Sequence, residues 1–332
     1  MLTVGLIGAG RIGRVHASTI VQDEGSQLVA VADSVDENAK NLAKLYKVNP
    51  RSVDAIFEDN SIEAILIASS TDTHSDFIEK ASKAGKAILC EKPVDLSLAR
   101  AKRCLENTKS NEHLIMMGFN RRFDPNFVAL KKALDGGEIG TAELLSITSF
   151  DPAPPPIDYV KVSGGIFKDM MIHDFDMANF LYGELPKSVF VSASAIIDKK
   201  IAVLGDYDTA VATLKYRDGR LAVIKNSRRA TYGYDQRIEV LGSKGLLQVQ
   251  NMVENSMVKS TEMGVESSKP EYFFLERYKS AYQNEWTAFV TAVKTKTPMP
   301  VSLSDGIAAL AIAEAAAASA EMGSEVEIAN FL

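Results

Sequence analysis

One stretch of the chain, Gly164-Gly165-Ile166-Phe167-Lys168-Asp169-Met170-Met171-Ile172-His173-Asp174-Phe175-Asp176, sets an imidazole between two acids. On a regular helix Asp169, His173 and Asp176 fall at i, i+4 and i+7, which is one face. A carboxylate one turn from an imidazole can fix its tautomer and raise its basicity, as a general base requires. The chain has only four histidines, so this one stands out. The same spacing also suits a solvated, salt-bridged face, the commoner origin of such a pattern. A metal site is disfavoured, because no other nearby histidine or cysteine completes a usual ligand set. What stands elsewhere in the chain decides between these.

A second group supplies a partner chemistry. Residues 2–8 form a short apolar run that ends in Gly8-Ala9-Gly10-Arg11-Ile12-Gly13, and a helical pattern continues to about Val21. This is Gly-x-Gly-x-x-Gly in the strand-to-helix setting that gives the motif meaning. Gly8 permits the tight turn, Gly10 lets the backbone approach a pyrophosphate, and Gly13 lets helix and strand pack closely. The pyrophosphate would lie against free N–H groups at the helix N-terminus. A second strand ends in Asp33, twenty residues after Gly13, where an acid can accept hydrogen bonds from the ribose hydroxyls. Its charge would repel a 2′-phosphate, and Ser34 stands next where a compensating arginine would be expected. NAD is therefore favoured over NADP, with Gly8, Gly10, Arg11, Ile12, Gly13 and Asp33 as its first contacts.

Strands and helices go on alternating: a helix over Asp36–Tyr46, a strand at Ala64–Ala68, a helix at Thr73–Ala84. A strand at Ala87–Leu89, a helix at Ser97–Lys109 and a strand at Leu114–Met117 come after them. This is the pattern of an α/β doubly wound parallel sheet, a Rossmann domain, which binds ligands at the carboxyl ends of its strands. Three segments sit at such ends: Ser69-Ser70-Thr71-Asp72-Thr73-His74, Glu91-Lys92-Pro93 and Gly118-Phe119-Asn120-Arg121-Arg122. Ser69, Ser70, Thr71, His74, Glu91, Lys92 and Asn120 are thus candidate cofactor contacts. Most lysines are solvated surface charges, but Lys92 directly follows an apolar strand and precedes Pro93. A cation there could stabilise a developing alkoxide. A cis Lys92–Pro93 bond, which costs little before proline, would re-aim it. His16 reads as a packing residue of the first helix.

Beyond about residue 120 the pattern changes to a helix at Pro125–Leu134, a strand at Ala142–Phe150 and the Pro-rich loop Asp151–Pro156. The His173 helix comes next, then strands at Ser188–Ile197, Asp208–Tyr216, Arg220–Asn226, Gln236–Leu241 and Leu246–Gln250. Short turns between them indicate an antiparallel or mixed sheet. Helices near Tyr272–Lys294 and Ser304–Glu321 close the chain. Two domains are expected, a cofactor domain over 1–120 and a substrate domain over 121–332, whose last helix could pack back on the first.

Composition sets bounds on partners. A net charge of −6 and a pI near 5.4 argue against nucleic acid. Cys90 and Cys104 form no Cys-x-x-Cys pair, which suits a reducing compartment. No leader pattern and no apolar run of about 18 residues is apparent, so a cytoplasmic protein without a membrane span is expected. The Ala-rich segment Ala308–Ala320 reads as a packed helix.

Gly8–Gly13, Glu91-Lys92-Pro93 and Asp169-x-x-x-His173 together resemble the Gfo/Idh/MocA family of nicotinamide-dependent sugar and polyol dehydrogenases. Four further runs resemble its inositol branch: Gly118–Pro125, Ser163–Phe167, Ile172–Asp176 and Arg228–Gln236. The resemblance spans nearly the whole chain. It implies a C-terminal α/β domain with a large, open, mostly antiparallel sheet that supports subunit contacts in a homotetramer. It maps the catalytic lysine, aspartate and histidine to Lys92, Asp169 and His173. Asp176 and Tyr232 match substrate contacts, with Tyr234 close by as the alternative to Tyr232, and Asn120 matches a position near the nicotinamide. The implied reaction is NAD-dependent oxidation of the myo-inositol C2 hydroxyl. Another cyclitol or aldose (scyllo-inositol, D-chiro-inositol, glucose) and a non-catalytic NAD-binding regulator are the alternatives. Some relatives carry a histidine where this chain reads Asp151-Pro152-Ala153-Pro154, a departure that bears on stereoisomer preference.

The cofactor assignment is testable at one residue. Asp33→Ala is expected to lower the ratio of kcat/KM for NAD over NADP, and an unchanged ratio would remove Asp33 from ribose recognition.

Overall fold

The computed structural model describes residues 1–332, which divide into two compact units. One holds Met1–Phe123 and Ser280–Leu310; the other holds Asp124–Lys279 and Ala311–Leu332. A single division near residue 120 misses the return of Ser280–Leu310 to the first unit. That return has a packing cause. The helix Lys279–Thr295 carries Ala281, Tyr282, Trp286, Phe289 and Val290 on one buried stripe. Trp286 Nε1 donates to Ser26 Oγ at 2.9 Å.

The first unit is built on a six-stranded parallel sheet of β1 (Leu2–Ile7), β2 (Ser26–Ala32), β3 (Asn49–Pro50), β4 (Ala64–Ile67), β5 (Ala87–Glu91) and β6 (Ile115–Gly118), in the order β3-β2-β1-β4-β5-β6. β4 and β6 are buried at every position, and β1 and β5 nearly so, because helices cover both faces. The order reverses between β1 and β4, and there the carboxyl ends diverge to leave a crevice. The short β3 and the helix Val53–Glu58 are not apparent from the sequence, being too brief for a periodic pattern.

The second unit holds a mixed sheet of β7 (Ala142–Phe150), β8 (Ser188–Ser194), β9 (Thr209–Lys215), β10 (Leu221–Ser227), β11 (Asp235–Gly242), β12 (Gly245–Val249) and, after a two-stranded hairpin of β13 (Val258–Thr261) and β14 (Gly264–Ser267), the short β15 (Val326–Glu327). Its order is β12-β11-β7-β10-β9-β8-β15; only β7 and β10 run parallel. Burial alternates along β9, β10 and β11, so one face is packed and the other open. β8 stops at Ser194, short of the expected Ile197, because the Asp208 carboxylate captures the N–H groups of Ile196, Ile197 and Asp198.

The helix Leu303–Met322 is 20 residues long and, with a mean hydropathy of 1.3 over its best window, apolar enough to cross a membrane by length and composition, contrary to the expectation from its sequence. Ala309, Leu310, Ala311, Ile312 and Ala313 are fully buried, so this apolar surface is used for packing.

One polar residue interrupts the Trp286 stripe. Glu285 is fully buried, and neither carboxyl oxygen has a hydrogen-bond partner. Burial first, and the Glu91 carboxylate second, push its pKa well above the ordinary range and favour the neutral acid. A carboxyl raised in the folded state adds stability below its unfolded pKa of about 4.3, and loses it as pH climbs through the folded value. The Tm of the native chain is therefore expected to fall more steeply than that of Glu285→Gln as pH rises above the unfolded value of about 4.3. Parallel calorimetric curves for the two proteins would contradict this.

Candidate active site

In the first unit each glycine of the turn meets a different constraint. Gly8 has φ +103°, and a Cβ there would lie 2.2 Å from Ala68 O. A Cβ on Gly13 would lie 1.9 Å from Gly8 O, so the helix Arg11–Gln22 packs against the turn itself. A Cβ on Gly10 would meet nothing within 4 Å. Gly10 is exposed, no side chain caps the helix and no acid stands in its first turn, the setting in which a helix N-terminus takes an anion. Arg11 and Ile12 open that helix. Asp33 closes the edge of the turn: its Oδ2 accepts from Ala9 N–H at 2.6 Å and its Oδ1 from Val35 N–H at 2.8 Å. The residues present fit a dinucleotide.

The strand ends beside this turn are braced to one another. Ser69 Oγ donates to Thr73 Oγ1 at 2.7 Å, and that hydroxyl donates to Ser70 O at 2.7 Å, shaping the loop around Ser69, Ser70 and Thr71. His74, taken from the sequence as a cofactor contact, is buried with Nδ1 2.8 Å from Pro93 O and Nε2 3.2 Å from Ser69 O. Burial pushes its pKa down, and the neutral ring donates through Nδ1, the shorter contact. His74, which follows the Ser69 loop in the chain, thus anchors that loop through Nδ1–H to the Lys92-Pro93 segment, whose peptide bond is cis.

Glu91 is turned inward. Its Oε1 lies 2.7 Å from Nε2 of the fully buried His16. Burial pushes the Glu91 carboxyl up, but the His16 hydrogen bond and the charges of His16 and Lys92 outweigh it, and the pKa ends below the ordinary value. His16, read from the sequence as packing, therefore orders the residue that precedes Lys92. Asn120 is buried in a short 3₁₀ turn, Asn120–Phe123, directly after β6.

In the second unit the His173 segment is not one regular helix. Phe167–Met171 forms a π-helical turn that runs into the α-helix Ile172–Tyr182. Gly164 and Gly165, at φ +84° and +78°, bring the chain in, and a Cβ on Gly165 would collide with the Asp206 carboxylate that accepts from Ile166 N–H. The wider turn shifts the phase of Asp169 relative to the α-helix after it. Asp169 and His173 stay partly exposed, whereas Asp176 is 1% exposed, so the three do not share one open face as regular spacing predicts.

Asp174, between them, anchors the helix. Its Oδ1 accepts from Ser149 Oγ at 2.6 Å and its Oδ2 from Asn226 Nδ2 at 2.8 Å, all three buried. Ser149 pairs with Asn226 across β7–β10 and with Gln236 across β7–β11, so these polar residues form one row across the packed face. A Gln236 amide turned to donate to Ser149 leaves the hydroxyl proton for Asp174. Sequence reasoning misses this row. Its signal is nonetheless present, as polar residues at the inward phase of otherwise alternating strands.

Of the two tyrosines weighed for substrate contact, Tyr232 is 47% exposed and Tyr234 is 5% exposed, packed edge-on against Tyr278. The Tyr232 hydroxyl donates to Asp235. Burial and that carboxylate push its pKa up to about 12, so it remains a donor.

Comparison with known proteins accords with this geometry. Residues 2–119 match the oxidoreductase family with an NAD-binding Rossmann fold, and residues 127–248 match the GFO/IDH/MocA C-terminal domain. The chain is 48% identical to an inositol 2-dehydrogenase of Rhizobium meliloti over 98% of both proteins. It superposes with a TM-score of 0.95 on the crystal structure of a myo-inositol dehydrogenase from Corynebacterium glutamicum, 40% identical over 98% of each chain. It also superposes, with a TM-score of 0.89 at 26% identity over 98% and 96% of the two chains, on a myo-inositol dehydrogenase from Lactobacillus casei in complex with NAD(H) and myo-inositol.

The open space above Gly10 yields a separation of effects. Gly10→Ala is expected to keep the native Tm while raising KM for NAD about tenfold or more, since each 1.4 kcal/mol lost at the pyrophosphate is a factor of ten. Steady-state kinetics with NAD varied, beside a thermal melt, checks both halves; an unchanged KM would move the pyrophosphate off this turn.

Proposed function

Because the chain belongs to the Gfo/Idh/MocA oxidoreductase family, we propose that it is an NAD-dependent inositol dehydrogenase that oxidises the C2 hydroxyl of myo-inositol to 2-keto-myo-inositol (scyllo-inosose). The observation that carries this reading is the coexistence of an uncapped glycine turn edged by Asp33 with Asp169 on a π-helical turn and His173 on the α-helix that follows it. The inositol 2-dehydrogenase identity of a relative matched from end to end supports the substrate class.

When bound, NAD supplies the two-electron acceptor for the carbinol carbon. His173 takes the hydroxyl proton, and general-base assistance of this kind contributes roughly 10²–10⁴-fold. Lys92 stabilises the negative charge that develops on the oxygen. Asp169 orients His173 or accepts from a substrate hydroxyl. Tyr232 meets a further hydroxyl, and Asp176, the other position matched to substrate contact, reaches one only where substrate binding uncovers it. Glu91, paired with His16, and His74, bonded to the Pro93 carbonyl, fix the backbone on both sides of Lys92.

The open face of the second sheet suits a homotetramer. Leu144, Phe190, Val211, Leu221 and Leu241 are exposed large apolar residues of its strands, a cluster that solvent disfavours and a second copy would cover. The buried free thiols of Cys90 and Cys104 suit the reducing cytoplasm.

NADH formation at alkaline pH, measured with myo-, scyllo- and D-chiro-inositol and with glucose, is the deciding assay. Highest kcat/KM with myo-inositol is expected; tight NAD binding without reduction by any polyol would favour a regulator instead. His173→Ala is expected to lower kcat by roughly two orders of magnitude or more while NAD affinity is retained. Near-native turnover in that variant would exclude His173 as the base.

A further inference from the structure

Arg228 directly follows β10, and its side chain is 1% exposed. Its Nη1 lies 3.5 Å from Asp169 Oδ2, while the Tyr159 hydroxyl donates to Asp169 Oδ1 at 2.8 Å. One carboxylate is thereby held at both oxygens, by a buried cation and by a phenol on the helix Ile157–Ser163. The backbone around Arg228 is equally fixed. Its N–H donates to Asp208 O at 2.8 Å, and Ala230 N–H donates to Asp151 O at 2.6 Å, which ties this segment to the start of the Pro-rich loop leading to Tyr159.

Stability alone does not account for such a residue. Nε and Nη2 of Arg228 are buried without a hydrogen-bond partner. Desolvating a guanidinium is expensive, and buried ion pairs are often matched or bettered by apolar side chains of similar volume. A cation kept there despite two unsatisfied donors has a use beyond packing. Asp169 supplies it, because this aspartate stands on the π-helical turn, where regular i→i+4 geometry no longer dictates where its side chain goes.

We propose that Arg228 is a positioning residue for Asp169: its guanidinium and the Tyr159 hydroxyl hold the carboxylate in one orientation, one turn from His173. This rests on the catalytic role proposed for Asp169 and goes beyond it by naming the groups that aim it. Asp169 then meets His173 or a polyol hydroxyl as a preset acceptor, without reorganisation at the moment of reaction.

A double-mutant cycle of Arg228→Met with Asp169→Asn, read by kcat and by KM for NAD and myo-inositol, tests it. Arg228→Met alone is expected to lower kcat on the order of 10²-fold, the usual cost of misplacing a reacting group by about 1 Å, with KM for NAD unchanged. Placed on Asp169→Asn it is expected to cost less than about threefold more, since two residues acting through one carboxylate are not additive. Equal losses in both backgrounds, or no loss in either, overturn the proposal. Full activity in Asp169→Asn alone instead overturns the role given to Asp169. If Arg228→Met fails to fold, Arg228→Lys carries the same cycle, and the same two outcomes decide it.

Discussion

The second unit depends on a charge placed out of reach of water. Asp174 points into the sheet, where Ser149 and Asn226 donate to its two oxygens. Hydrogen bonds to a buried carboxylate contribute about 1.5–3 kcal/mol each, and losing one partner leaves the charge uncompensated. The helix Ile172–Tyr182 therefore has one rotation about its axis that satisfies Asp174. That rotation sets where His173, the preceding residue, must face. A residue turned into the sheet fixes the direction of the one proposed to take the substrate's proton.

The first unit solves a comparable problem with several separate bonds. Its sheet delivers three loops to neighbouring strand ends, and each must hold its shape before a cofactor arrives. Asp33 bridges the glycine turn and the end of β2, His74 donates from Nδ1 to the Pro93 carbonyl, and His16 takes the Glu91 carboxylate. The bonds from Ala9 to Asp33, His74 to Pro93 and His16 to Glu91 each join segments distant in sequence, so the shape belongs to the unit and not to any one loop. Glu285 is the cost of this arrangement: a neutral acid with no partner, near Glu91 and inside an apolar stripe.

Much of this is legible from residue order. The glycine turn, Asp33 and the alternation of β1, β2, β4, β5 and β6 are local patterns with one physical solution, and the helix Asp36–Tyr46 and the strand Ala142–Phe150 have the ends that periodicity gives them. The two-residue β3 and the helices Val53–Glu58 and Ile157–Ser163 are not legible, because each spans less than the two helical turns or few alternations needed to see a period. The phase of Asp169 against His173 escapes the sequence for another reason. A π-helical turn has no composition of its own and arises from the glycine pair and the Asp206 cap acting together.

The sequence by itself determined the chemistry available: a dinucleotide turn with an acid for the ribose, a lysine after an apolar strand, and an imidazole one turn from a carboxylate. Those are facts of residue type and short spacing, and they hold before any packing. Only the tertiary structure decided what each group is free to do. It committed His74 and Glu91 to bracing loops, withdrew Asp176 from solvent and brought Arg228 to Asp169 from nearly sixty residues away. Burial and hydrogen-bond partners are long-range properties, because the strands that supply them are adjacent in the sheet and far apart in the chain.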